Sequence, residues 1–220
     1  MATTERGASV TRVAIVDDHD VLASGLAHVM GGQQDLDCVG VATSLEDGRR
    51  LVAEELPDVL LLDQRLPDGD GVSAIPDLLA THPALRIVVL TGNATDSVLV
   101  RAIEGGAAGF VAKNRSLGEV LSAVRATASG EAVISSELLA RLLPRLTGES
   151  TTRHEALTER EREVLVLLAD GLTNVAIAER LVVSVHTVRN HVANLSGKLG
   201  AHSKLEALSI AVREGLLPGR

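Results

Sequence analysis

The sequence predicts two joined units: a doubly wound α/β unit with a five-stranded parallel sheet, then a small all-α unit. Three observations carry this. Short apolar runs alternate with amphipathic segments over the first ~130 residues. Some of these runs are continuously apolar, as strands buried on both faces must be. From residue 157 onward the pattern is helical throughout.

Taken in order, the strand candidates are Arg12–Val16, Leu36–Ala42, Val59–Leu62, Ile87–Leu90 and Gly109–Ala112. Between and after them lie helix candidates near 20–31, 45–55, 70–80, 96–104 and 116–128. The last shows Leu117, Val120, Leu121 and Val124 at i, i+3, i+4 and i+7, a single apolar stripe. Strands alternating with helices give a parallel sheet with helices on both faces. Ser135–Leu146 reads as one extra helix, and the polar stretch Thr147–Arg153 as a linker. The second unit divides into helices near 158–170, 173–181, 184–199 and 203–215. The middle two are separated only by Val182-Val183-Ser184, with Ser184 a natural N-cap, so they form a helix-turn-helix candidate. The expected boundaries are 10–130 for the first unit, 131–153 for the connection and 154–218 for the second.

Composition narrows the function. The 220 residues are 45% apolar and 23% charged, which suits a globular chain. No apolar run is long enough to span a membrane, and Met1–Ser9 lacks the apolar core of a signal peptide. A single cysteine, Cys38, builds no internal disulfide, so a cytoplasmic location is expected. With one Phe and no Tyr or Trp, base stacking on aromatic side chains is excluded. The net charge of −8 is unevenly spread: residues 1–150 hold 12 Lys/Arg against 21 Asp/Glu, and residues 151–220 hold 9 against 8. Positions 180–205 contain Arg180, Arg189, Lys198 and Lys204 and no carboxylate. That is a local basic stretch in an acidic protein.

The residues at the strand ends carry the chemistry. Asp17 and Asp18 follow the first strand, Asp63 ends the third, Thr91 the fourth and Lys113 the fifth. In a parallel sheet these ends share one edge, where ligands bind. Three carboxylates brought that close repel unless a cation joins them, and hard oxygen donors of this kind suit Mg2+. Asp63 then becomes a nucleophile toward a phosphoryl group, with Mg2+ and Lys113 absorbing charge and Thr91 donating a hydrogen bond. Asp68-Gly69-Asp70-Gly71 lacks the downstream Glu of a calcium loop and reads as a turn.

At this point the chain resembles a NarL/FixJ-type bacterial response regulator. The receiver pattern stands as Val16-Asp17-Asp18-His19, Leu62-Asp63-Gln64-Arg65-Leu66-Pro67-Asp68-Gly69, Leu90-Thr91-Gly92 and Gly109-Phe110-Val111-Ala112-Lys113. The resemblance implies a flavodoxin-like receiver whose Asp63 accepts phosphate from a sensor histidine kinase. It further implies that Asp18 and Asp63 hold Mg2+ directly, with the Arg65 backbone carbonyl as third ligand and Asp17 acting partly through water. Thr91 and Phe110 match the family's switch pair. Arg65, Gly92 and Asn114 depart from the usual receiver residues; Arg65 bears on how long a phosphoryl group survives. A haloacid-dehalogenase-type phosphohydrolase would need a second Asp two residues after the nucleophile, where Arg65 stands.

The second unit resembles a LuxR-type helix-turn-helix, from Leu157-Thr158-Glu159-Arg160-Glu161 through Gly171, Asn174, Ile177-Ala178, Leu181, Ser184 and Thr187-Val188-Arg189 to Lys198-Leu199-Gly200 and Ser203-Lys204. Ile177, Ala178 and Leu181 face Val185, Val188 and Val192 across an apolar seam. His186, Arg189, Asn190 and Ala193 are left for a major groove. Arg189 pairs with guanine and Asn190 with adenine, while Ser184, Thr187, Lys198 and Lys204 hold phosphates. Ala176 and Ala193 depart from the residues frequent in the family there. The final helix, with Leu205, Leu208, Val212 and Leu216, is where the resemblance implies homodimer pairing on activation. The expected partners are a sensor histidine kinase, double-stranded promoter DNA and a second copy, with no membrane. The expected role is a regulator rather than an enzyme, phosphoryl acceptance and self-dephosphorylation aside. Two alternatives remain: an atypical regulator independent of phosphorylation, and a phosphate sink acting through protein contacts alone.

Overall fold

A computed structural model describes residues 10–92, 94–146 and 156–217. Thr147–Arg153, read as a linker, lies outside the described residues. The first unit runs β1 (Thr11–Val16), α1 (Asp20–Gly31), β2 (Leu36–Ala42), α2 (Leu45–Glu55), β3 (Val59–Asp63), α3 (Gly71–Thr81), β4 (Arg86–Thr91), α4 (Asp96–Glu104), β5 (Gly109–Ala112) and α5 (Leu117–Ala128). The parallel sheet has the order β2-β1-β3-β4-β5, so the chain winds outward to β2, then crosses back over β1 to β3. The reversal opens a crevice between the carboxyl ends of β1 and β3, the ligand position of such sheets.

Burial explains the strands. Every residue of β3 is buried, as are Ile87–Thr91 of β4. A strand covered on both faces cannot alternate. One sheet face packs Leu60, Leu62, Ile87 and Val89 beneath α2 and α3; the other packs Ile15, Leu61, Val88 and Leu90 beneath α1 and α5. A capping box at Ser116 and Glu119 starts α5, satisfying helix amides that have no partner within the helix.

Between β3 and α3 the chain makes a two-residue hairpin that the sequence reading missed, pairing Arg65 with Asp70 and Leu66 with Gly69. Its return demands Gly71: a Cβ there would lie 2.0 Å from the Asp63 carbonyl oxygen. Gly71 N–H donates to the Gln64 carbonyl (2.9 Å). After α5, Val133 bridges Gly109 in parallel, and Phe110 N–H donates to the Val133 carbonyl (2.8 Å), so the connection begins by lengthening the sheet edge.

The expected single helix over Ser135–Leu146 is instead α6 (Ser136–Leu142) followed by a 3-10 turn, Leu143–Arg145. Pro144 has no N–H to donate to the carbonyl four residues back, and the last turn tightens.

The second unit comprises α7 (Glu159–Ala169), α8 (Asn174–Leu181), α9 (Val185–Leu199) and α10 (Lys204–Arg213). Val182 closes α8 in the left-handed region (φ 53°), and Ser184 caps α9 by accepting from Thr187 N–H. That geometry delivers the tight turn between the two helices. Ile177, Ala178, Val188 and Val192 are buried at the seam, with Leu181 and Val185 half-buried beside it. The same apolar cluster takes in Leu99 and Ile103 of α4 and Leu139, Leu142 and Leu146 of the connection. One core therefore runs from the α/β unit into the helical unit. Among the described residues, no helix is long and apolar enough to cross a membrane.

Candidate functional site

The crevice gathers the predicted acidic residues. Asp17 is completely buried one residue past β1, and Asp63, the last residue of β3, is 4% exposed. Lys113, one residue past β5, joins them: its Nζ lies 2.7 Å from Asp63 Oδ2 and 2.9 Å from Asp17 Oδ1. The Arg65 amide donates to Asp63 Oδ1 (3.2 Å), so both carboxylate oxygens are oriented. Asp18 is exposed at the mouth, and His19 Nδ1 stands 2.8 Å from its Oδ1 and 3.1 Å from Asp17 Oδ1. Ligand atoms of Asp17, Asp18, His19 and Asp63 all lie within 4.8 Å of one another, close enough to share one ion.

Electrostatics follow from this packing. Burial pushes the Asp63 carboxyl up from its ordinary value, and the neighbouring Asp17 charge adds to the rise; the Lys113 hydrogen bond and the Arg65 amide pull the other way without cancelling it. Burial alone would lower the Lys113 ammonium, but hydrogen bonds to Asp63 and Asp17 and the charges of both outweigh it, for a net upward shift. One ammonium against three carboxylates leaves negative charge uncompensated. Asp17 Oδ2 is buried with no hydrogen-bond partner. A buried carboxylate oxygen left bare is costly. These residues fit a hard divalent cation, which would supply the missing partner.

Thr91, the last residue of β4, turns its hydroxyl to Gln64 Oε1 (3.1 Å), a partner the sequence reading did not identify. Phe110 is half-buried in β5 and touches both the core beneath α2 and α3 and the core shared with the helical unit. Phe110 thus lies between the receiver core and the core shared with the second unit, on the strand beside Thr91. The Arg65 side chain is exposed on the hairpin.

The helical unit presents a second candidate surface. His186, Arg189, Asn190 and Ala193 are exposed on α9, away from the buried seam. Ser184 and Thr187 place two hydroxyls 2.8 Å apart at its N-terminus. This face borders a cleft of about 470 Å³ whose opposite wall includes Arg86, Ala108 and Thr127 to Gly130 of the first unit, and Glu131 just beyond it. Two of the expected phosphate-binding cations are already engaged. Lys198 Nζ lies 2.8 Å from Glu161 Oε2 inside the helical unit, where Glu161 also closes the capping box of α7. Lys204 is 9% exposed, its Nζ 3.1 Å from Glu131 Oε2 and 3.2 Å from Asn174 Oδ1. No signal in the sequence linked Lys204 to Glu131, 73 positions away. The final helix α10 packs against α4, and Ser203 Oγ donates to the Ala107 carbonyl (2.8 Å).

Residues 13–125 match the family described as response regulator receiver domain, and residues 155–211 match bacterial regulatory proteins, luxR family. The chain belongs to the two-component response regulators that join a receiver to a LuxR-type DNA-binding domain. It is 37% identical over 204 residues to the DNA-binding transcriptional activator DevR/DosR of Mycobacterium tuberculosis, spanning 92% of this chain and 94% of that one. It is 35% identical over 208 residues to the transcriptional regulatory protein LiaR of Bacillus subtilis, spanning 94% and 99%. Among solved structures, the RcsB response regulator of Salmonella typhimurium is similar with a TM-score of 0.55 and 26% identity, covering 91% of this chain and 97% of that one.

Proposed function

We propose that Asp63 is the phosphoacceptor of this regulator and that its phosphorylation releases the reading face of α9 to duplex DNA. The observation that carries the reading is Lys113 bridging Asp63 and Asp17 beside the bare Asp17 Oδ2 at the topological switch of the sheet. In the transfer, an Asp63 oxygen forms an O–P bond as the N–P bond of a kinase phosphohistidine breaks. The departing imidazole nitrogen keeps the electron pair. Lys113 Nζ stands where the incoming phosphoryl oxygens gather charge, and the Arg65 amide holds the attacking carboxylate in place. Asp17, Asp18, Asp63 and the Arg65 carbonyl are the groups that would hold Mg2+, which when bound neutralises charge on the transferring oxygens.

Thr91 has to exchange its Gln64 partner for a phosphoryl oxygen, and the space it leaves admits the Phe110 ring. Because Phe110 also packs against the core shared with α6 and α7–α10, its rotation strains the contact between the two units. The arrangement described above is the resting one: α9 faces the receiver across the cleft and α10 is occupied by α4. In the open form His186, Arg189 and Asn190 read bases, Ser184 and Thr187 hold phosphates, and α10 is free to pair with a second copy. The working division is a switch over 10–130, a connection over 131–153 and a reader over 154–218, acting in the cytoplasm under a sensor histidine kinase.

The test is intact mass after incubation with a small phosphodonor and Mg2+. A gain of one phosphoryl group in the wild type and none in Asp63→Asn is expected. A gain persisting in Asp63→Asn, or absent from the wild type with every donor, overturns the assignment.

A further inference from the structure

The resting arrangement sets one half-buried anion, at the point where the receiver passes into the connection, inside a cluster of donors that belongs to the reader. The anion is the Glu131 carboxylate, which follows α5. Its oxygens accept from the Asn174 backbone N–H at the start of α8 (3.1 Å to Oε1) and from Lys204 Nζ at the start of α10 (3.1 Å to Oε2). The donors are also linked to each other. Lys204 Nζ also donates to Asn174 Oδ1 (3.2 Å), an interaction wholly within the reader. Thr173 caps α8 by accepting from Ala176 N–H, which leaves the Asn174 amide pointing out of the helix. A second observation points to a ligand larger than a carboxylate: Asn174 is 1% exposed and its Nδ2 has no hydrogen-bond partner.

We propose that this cluster (Lys204, the Asn174 amide and side chain, and the amino end of α8) is a phosphodiester site of the reader, and that Glu131 fills it as a phosphate mimic. The proposal rests on reading α7–α10 as the DNA-binding domain. Charge and geometry both favour a DNA phosphate as the displaced ligand. Backbone amides at a helix N-terminus together with a lysine are a complementary setting for a phosphate. The cluster lines the same cleft as His186, Arg189 and Asn190. A duplex whose groove received those side chains would bring its backbone to the same wall. Glu131 occupies that place from the receiver side, so the contact that closes the molecule and the contact that holds DNA exclude each other. Lys204 exchanges one anion for another and is never left buried and bare, which keeps the cost of switching low.

The experiment uses the full-length chain and a fluorescein-labelled mixed-sequence duplex, followed by anisotropy over a salt series. It compares wild type, Glu131→Gln, Lys204→Met and the double variant, each with and without a small phosphodonor; far-UV circular dichroism confirms that each is folded. Glu131→Gln without phosphodonor is expected to bind roughly tenfold more tightly than wild type, the size of effect one freed phosphate contact supplies at moderate salt. Its slope of log affinity against log salt should steepen by about one unit, and Lys204→Met in the same chain should abolish both gains. If Glu131→Gln binds as wild type does while phosphodonor still tightens the wild type, mimicry is overturned and the Asp63 reading stands. If Glu131→Gln binds tightly but phosphodonor changes nothing, mimicry stands and the Asp63 reading falls. Tighter binding with an unchanged salt slope that survives Lys204→Met overturns the exchange at Lys204.

Discussion

Replacing Lys113 by Met keeps the stem of the side chain and removes its charge. The ammonium is the cation shared by two carboxylates, at 2.7 Å from Asp63 and 2.9 Å from Asp17, whose side chains are 5% and 0% exposed against 15% for Lys113 itself. Removing one partner of a buried pair costs about 3–5 kcal/mol. The pocket opens to water on the Asp18 side, which argues for the lower end, about 3 kcal/mol. For a chain of this size that is a fall of roughly 6–12 °C in the unfolding midpoint without metal. Far-UV circular dichroism is the assay, since the chain has one Phe and neither Tyr nor Trp.

The pH dependence has a definite sign. Lys113 pulls the Asp63 carboxyl down against burial, so its removal lets that carboxyl rise further. A carboxyl whose folded value lies above the unfolded one contributes stability below the unfolded value and loses it as pH rises through the folded value. The deficit of Lys113→Met therefore widens between about pH 4 and pH 7. Added Mg2+ should restore more stability to the variant than it adds to the wild type, because a bound cation takes over the lost charge balance. A midpoint within about 2 °C of wild type, or a deficit that is the same at both pH values, refutes the charge argument.

Gly71→Ala places a methyl group 2.0 Å from the Asp63 carbonyl oxygen and forces the hairpin away from β3. The expected loss is about 3 kcal/mol in urea unfolding, with slower phosphoryl uptake at Asp63. Asp68 accepts from the Leu45 and Glu46 amides at the start of α2, and these hydrogen bonds hold its carboxyl below the ordinary value. That stabilisation is present above the unfolded value and lost as pH falls through the folded one. Asp68→Asn should accordingly lower the thermal midpoint at pH 7, and its gap to the wild type should narrow as pH falls below the ordinary carboxylate range.

Much of the architecture was legible along the chain, because it is written in local patterns. Strands covered on both faces must be apolar throughout, so Val59–Leu62 and Ile87–Leu90 announced themselves. The alternation of strands and helices then fixed which ends of the strands meet. Asp17, Asp18, Asp63, Thr91 and Lys113 could be brought to one edge before any coordinate was known, since each follows or ends a strand of the same parallel sheet.

Contacts that depend on how separated elements pack were not legible. The expected helix over Ser135–Leu146 stops at Leu142, where Pro144 tightens the chain into the 3-10 turn Leu143–Arg145. Gly71 looked like one turn glycine among several; only the return of the hairpin against the Asp63 carbonyl shows why a side chain cannot stand there. Lys198 and Lys204 share the basic stretch with Arg189, and charge alone does not distinguish them. Tertiary packing commits Lys198 to Glu161 and Lys204 to Glu131, and leaves Arg189 exposed on α9. The sequence by itself determined the main strands and helices, their order and which residues meet at the sheet edge, all of which follow from periodicity and chain direction. Only the tertiary structure decided which cations are already paired, which carboxylate oxygen is left bare and that the reader is closed against the receiver. Those depend on distances between residues far apart in the chain, and no local pattern encodes them.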